Sequence, residues 1–80
     1  MLEVKVRLLE CVSAVFPDLT IEEATHASKA SIASWDSLAT ATLITVVEEE
    51  FDIQLDPEDM DEFISFDLIE DVVNRKVGAS

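Results

Sequence analysis

The segment Ser34-Trp35-Asp36-Ser37-Leu38 is the one place in this sequence where residue types and order suggest chemistry. Asp36 is a strong helix N-cap residue, which puts the Ser37 hydroxyl on the first turn of the helix that follows, at the end of a long connection and open to solvent. The N–H groups left unpaired at a helix start, together with the dipole, make such a position a favourable seat for a phosphate carried on that oxygen. Read from residues alone, the segment is either an anion or phosphoester site or simply an aspartate cap followed by a first-turn serine.

Other reactive side chains have weaker settings. Asp36, Ser37 and the only histidine, His26, supply the residue types of a hydrolytic triad, but so small a chain has no second lobe to bury a substrate and shows no oxyanion loop. His26 therefore reads as a surface loop residue. The stretch from Asp52 to Glu62 is acidic enough for an EF-hand loop, yet it lacks the turning glycine and the ligand rhythm at alternate positions. Diffuse attraction of divalent ions is the most it implies, and no metal site is expected. Cys11 lies on the inner side of the first helix and reads as core, not nucleophile.

The elements that must position Ser37 follow from hydrophobic spacing. Residues 2–16 place Leu2, Val6, Leu9, Val12 and Phe16 at intervals of three and four, although Leu2 to Leu8 also alternates with period two; the length favours a helix, ended by Pro17. Residues 17–34 form a long connection of small and polar residues, with Leu19, Ile21 and Ile32 as anchors into the core. Residues 37–51 give the clearest helix, burying Leu43, Val46, Val47 and Phe51. Asp56-Pro57 opens a short helix reaching about Phe63. Ser65 caps a last helix with Leu68, Ile69, Val72 and Val73 facing inward, Arg75 and Lys76 on the negative end of its dipole, and Gly78 as its stop. The expected fold is an all-α bundle of three main helices and one short one, with Leu9, Val12, Leu43, Val47, Phe51, Val72 and Val73 in its core. Phe63 and Phe66 are core by default.

Composition agrees and narrows the function. Eighty residues make a single domain over 1–80, too small for separate cofactor and substrate lobes. A hydrophobic content of 49% with one Gly and two Pro argues for a folded, helical chain. Eighteen Asp and Glu against five Lys and Arg give a net charge of −13, which repels nucleic acids and anionic membranes and favours partner proteins with basic surfaces. Residues 30–74 hold thirteen acids and no Lys or Arg, and nine of these acids fall between Glu48 and Glu62, where Phe51, Ile53, Leu55, Met60 and Phe63 interrupt them at core-like intervals. This is an acidic surface on a packed segment. A lone cysteine, no signal-peptide pattern and no membrane-length apolar run lead us to expect a complete cytoplasmic protein that does not insert into membranes.

Taken together, the sequence resembles the acyl carrier proteins and related phosphopantetheine-binding domains over nearly its whole length. The resemblance rests on a first amphipathic helix, a long loop, Asp36-Ser37-Leu38 opening the second helix, Glu48-Glu49-Glu50-Phe51 closing it, then Ile53, Leu55 and an acidic short helix. It implies the four-helix acyl-carrier-protein bundle and a monomeric carrier that is not itself an enzyme. It also implies that Ser37 receives 4′-phosphopantetheine from coenzyme A and that the arm's thiol carries acyl groups as thioesters. Asp36 would help place the transferase's metal and the arm's phosphate. Leu38, Ala39, Thr42, Glu48, Glu49, Asp59 and Asp61 would meet partners, namely a phosphopantetheinyl transferase and acyl-loading and acyl-processing enzymes with basic docking surfaces. Many fatty-acid carriers have acidic residues where this chain has Ala39 and Thr42, and a small residue where it has Trp35. These departures point to a dedicated acyl, lipid or secondary-metabolite pathway instead of bulk fatty-acid synthesis. The contrasting expectation is an acidic helical interaction module with no prosthetic group.

Overall fold

The computed structural model describes residues 4–78. These contain three long helices, α1 (Val4–Val15), α3 (Ser37–Phe51) and α5 (Phe66–Gly78), and two short ones, α2 (Ile21–Thr25) and α4 (Pro57–Met60). No strand occurs among the described residues, and residues 4–8, whose period-two alternation also fits a strand, are helical. Leu2 lies outside the described residues. The helix α1 packs against α2, α3 and α5, so it is the element around which the others assemble. Its ion pair from Arg7 Nε to Glu50 Oε2, 2.9 Å long, joins the first turns of α1 to the last turn of α3, and the Arg7 guanidinium lies 4.6 Å above the Phe51 ring.

The core differs in detail from the spacing argument. Val12, Leu43, Val47, Phe51, Val72 and Val73 are buried as expected, together with Phe63 and Phe66. On α1, however, the buried side chains are Leu8, Cys11 and Val12, while Leu9 is half-buried and Val6 is exposed. Val12 and Phe16 of the expected stripe are buried and Cys11 is core as expected, but contact with both α3 and α5 turns the inner face toward Leu8 and away from Val6 and Leu9. Val46 is half-buried, and Leu68 is exposed because the inward stripe of α5 is Phe66, Ile69, Val72 and Val73, which leaves Leu68 at its flank.

The connection over residues 17–34 is more structured than expected. Thr20 Oγ1 accepts the Glu23 N–H and Glu23 Oε1 accepts the Thr20 N–H, a reciprocal capping box that starts α2. The bundle thus has two short helices where one was expected. Leu19 and Ile32 pack on the core, but Ile21 is 69% exposed and anchors nothing; the buried anchors are Ala24, Ala27 and Trp35. The rest of the connection is stitched to the start of α5: Lys29 N–H donates to Ile64 O at 2.7 Å and Phe66 N–H to Ala27 O at 2.9 Å, around an isolated bridge between Ser28 and Ser65.

The ends of the later elements follow their local chemistry. Asp52 ends α3 in the left-handed conformation (φ 52°), a state that a short polar side chain tolerates better than most. Asp56 and Pro57 start α4, with the Asp59 carboxylate accepting the Asp56 N–H at 3.0 Å. The Ser65 hydroxyl accepts the Leu68 N–H and so caps α5, which runs through Gly78 instead of stopping before it.

Candidate functional site

The start of α3 is built by its own sequence. Asp36 has extended backbone and its Oδ1 accepts the Ala39 N–H at 2.8 Å, while its carbonyl accepts the Thr40 N–H at 2.9 Å. With the Asp36 N–H donating to Ser34 O at 3.0 Å, two of the four donors at the helix end, those of Asp36 and Ala39, are satisfied. Those of Ser37 and Leu38 have no intramolecular acceptor, which leaves two N–H groups and the positive end of a 15-residue helix beside the Ser37 hydroxyl. Ser37 is exposed and its Oγ makes no intramolecular hydrogen bond. Leu38 is 77% exposed, the most solvent-open large apolar side chain among the described residues.

Directly before this open turn the chain is anchored. Trp35 is 2% exposed, its ring lies 5.3 Å from that of Phe16 at the end of α1, and its N–H donates to Ile32 O at 3.0 Å. Its indole Nε1 is buried with no acceptor. The anchor holds the entry to α3 while the next three residues face water, so a rigid support presents an exposed hydroxyl and an exposed apolar side chain next to each other. In the sequence Trp35 stands out as a departure from a family pattern, and its size is the sign of its structural role.

The residues expected to dock partners do not form one patch. Leu38, Thr42 and Glu49 are exposed along one face of α3 with Thr45 between them, spaced at helical intervals. This face is uncharged until Glu49, its hydroxyls of Thr42 and Thr45 donating to the carbonyls of Leu38 and Ala41. Ala39 is half-buried. Glu48 and Glu49 sit at the far end of α3, roughly 17 Å along the axis from Ser37. Glu48 is half-buried, and its Oε2 accepts the Leu55 N–H at 2.9 Å, which fastens the segment after α3. Asp61 is exposed after α4. Asp59 has to be removed from the docking set: it is buried, caps Asp56 and accepts Lys76 Nζ at 2.9 Å. Those contacts with Lys76 and the Asp56 N–H hold its carboxyl below the usual carboxylate range.

The remaining candidates are structural. Cys11 is buried, and desolvation, with help from Glu50 and Glu10, pushes its thiol up to about 11, so it is not a nucleophile at neutral pH. His26 is an exposed residue at the end of α2, its N–H donating to Glu23 O. Among the described residues no group of three or more His, Cys, Asp and Glu side chains converges to hold a metal ion, and no helix is long and apolar enough to cross a membrane. No protein-family model matches the sequence, and comparison with curated proteins finds no match.

Proposed function

We propose that this chain is an acyl carrier protein, with Ser37 as the attachment point for 4′-phosphopantetheine. The observation that carries this reading is the start of α3: an exposed serine hydroxyl with no internal partner, behind an aspartate cap and ahead of an exposed leucine. The donor set fits a phosphodiester on that oxygen, since the free N–H groups of Ser37 and Leu38 face the helix start. In the loading reaction, Ser37 Oγ would displace 3′,5′-ADP from coenzyme A at the pyrophosphate, losing its proton to the transferase and gaining the phosphopantetheine ester. Once attached, the arm would supply a terminal thiol for thioester chemistry. Asp36, whose Oδ2 makes no hydrogen bond to the chain, is suited to help bind the transferase's metal, and Leu38 to fill an apolar notch on partner enzymes.

The neutral face from Leu38 to Thr45 supports a dedicated acyl, lipid or secondary-metabolite pathway, because enzymes that grip this face through Arg or Lys would lose charge pairs there. The reading places the protein in the cytoplasm as a monomer that presents cargo to other enzymes and catalyses nothing alone. Intact-mass measurement after co-expression with a broad-specificity phosphopantetheinyl transferase tests it. The wild type should gain one phosphopantetheine mass, and Ser37→Ala should gain none while keeping its helical circular dichroism, since Asp36 still caps α3 and Ala is a good helix former. A wild type that never gains this mass with any of several transferases, or a Ser37→Ala chain that does, would favour the acidic interaction module without a prosthetic group.

A further inference from the structure

A groove of about 470 Å³ opens on the outer side of α1, lined by Val6, Leu9, Glu10, Ser13 and Ile21. Its walls include two large apolar side chains that the fold leaves in water, Val6 at 41% and Ile21 at 69% exposure. On a helical wheel Val6, Glu10 and Ser13 lie opposite Leu8, Cys11 and Val15, so the groove is on the side of α1 away from its buried stripe. The Arg7–Glu50 pair places the Val6 end of α1 beside the last turn of α3. Ser37 is at the other end of that helix, about 20 Å along its axis. The groove shares no lining residue with the Ser37 turn.

The charge around the groove selects its occupant. Glu10 is in the wall and exposed Glu22 and Glu23 follow Ile21, whereas the cations flanking Val6 are Lys5 and Arg7, and Arg7 is paired with Glu50. Arg75 and Lys76 are likewise held in internal ion pairs, so among the described residues Lys5 is the one cation beside the groove that lacks an ion pair, against three acids. A second copy would bring two acidic rims and two charges of −13 together, which disfavours self-association. We infer that the α1–α2 groove is a docking site for a basic amphipathic segment of a partner protein, which inserts a large aliphatic or aromatic side chain between Val6, Leu9 and Ile21 and sets flanking Lys or Arg against Glu10 and Glu22. This site works independently of any group on Ser37.

Two synthetic peptides test the inference on the full-length chain: a helical Leu/Lys peptide of about 18 residues, and a control of equal charge with every Leu replaced by Ser. In a ¹⁵N amide titration the Leu/Lys peptide should shift signals centred on Val6, Leu9 and Ile21 and bind at least about tenfold more tightly than the control. Ile21→Ser, which leaves the Thr20–Glu23 capping box in place, should weaken the Leu/Lys peptide by about tenfold and leave the control unchanged. Leu38→Ser should change neither. Equal affinity of the two peptides, or shifts centred on Leu38, would overturn the proposal. So would a wild type that dimerises through this face without peptide, or groove signals that move on acylation alone.

Discussion

Phe16 and Trp35 stack with their ring centroids 5.3 Å apart, and this contact ties the end of α1 to the residue before the cap of α3. A buried indole removes a large apolar area from water, but Nε1 has no acceptor and opposes part of that gain. Trp35→Ala should cost about 3–5 kcal/mol, a large part of the stability of so small a domain. Trp35→Phe keeps the ring contact and deletes the unpaired donor, so its cost should stay below about 2 kcal/mol. Urea unfolding of the three proteins measures this difference; equal losses for the two variants would mean that the indole N–H is satisfied in solution.

The Lys76 ammonium bridges Asp56 and Asp59 at 3.0 and 2.9 Å and so clips α4 to the last turns of α5. Hydrogen bonds to Lys76 and the Asp56 N–H hold the Asp59 carboxyl below its ordinary value in the folded chain. A depressed carboxylate contributes stability that is complete above its unfolded value and is lost as pH falls through the folded one. The wild type should therefore lose stability more steeply below about pH 4 than Asp59→Asn, which is already weaker at neutral pH. Denaturant midpoints from pH 7 to pH 2.5 for both proteins would show it, and parallel curves would contradict it.

Much of this arrangement can be read from the chain before any coordinates. Helix α3 runs from Ser37 to Phe51 with Asp36 as its cap, as its local signals dictate, and the Asp56-Pro57 start of α4 is equally explicit. What escaped was decided by tertiary contact. Cys11 is core as its position suggests, but only the packing of α1 against α3 and α5 chooses Leu8 over Val6 and Leu9. The helix α2 has five residues and a single apolar start, too short for periodicity to reveal, although Thr20-Ile21-Glu22-Glu23 spells its capping box. Asp59 looked like one more surface acid because its partner, Lys76, is seventeen positions away in sequence.

Asp52 holds a negative charge at the C-terminal end of α3, where the helix dipole is also negative, and Glu49, Glu58 and Asp61 nearby in sequence have no ion pair. Asp52→Asn keeps a side chain that tolerates the left-handed conformation and removes the charge. It should stabilise the protein by roughly 0.3–1 kcal/mol at low ionic strength, and the advantage should shrink as salt is added. For the same reason the wild type's melting temperature should rise between low and moderate salt or on adding Mg²⁺. A melting temperature indifferent to salt would show that repulsion among these acids is negligible.

The Cys11 thiol, raised to about 11 by burial and the nearby acids, should be inert toward a water-soluble disulfide reagent at pH 8 in the folded protein. In denaturant it should react at the ordinary rate of a free thiol. Reaction of the native chain as fast as the unfolded one would mean that α1 opens readily from the bundle.

If Ser37 carries an acyl arm as proposed, the uncharged face beside it should act as a filter on partners. Thr42 is exposed with its hydroxyl bonded to Leu38 O, and Ala39 is half-buried in the first turn with only a methyl group against the core, so Ala39→Asp together with Thr42→Glu adds two acids for the loss of one small core contact. Acidic residues near a helix start are favoured by the dipole, and the fold should tolerate both changes. Each new pair with a basic docking surface is worth at most about 1 kcal/mol at a wet rim, so the double variant should gain up to roughly 20-fold in kcat/KM with fatty-acid synthase enzymes that grip their carriers through Arg or Lys. The gain should appear mainly in KM and fade with salt, because it comes from encounter and docking and not from the chemical step. Equal activity of wild type and double variant with those enzymes would mean that Ala39 and Thr42 do not set the choice of partner.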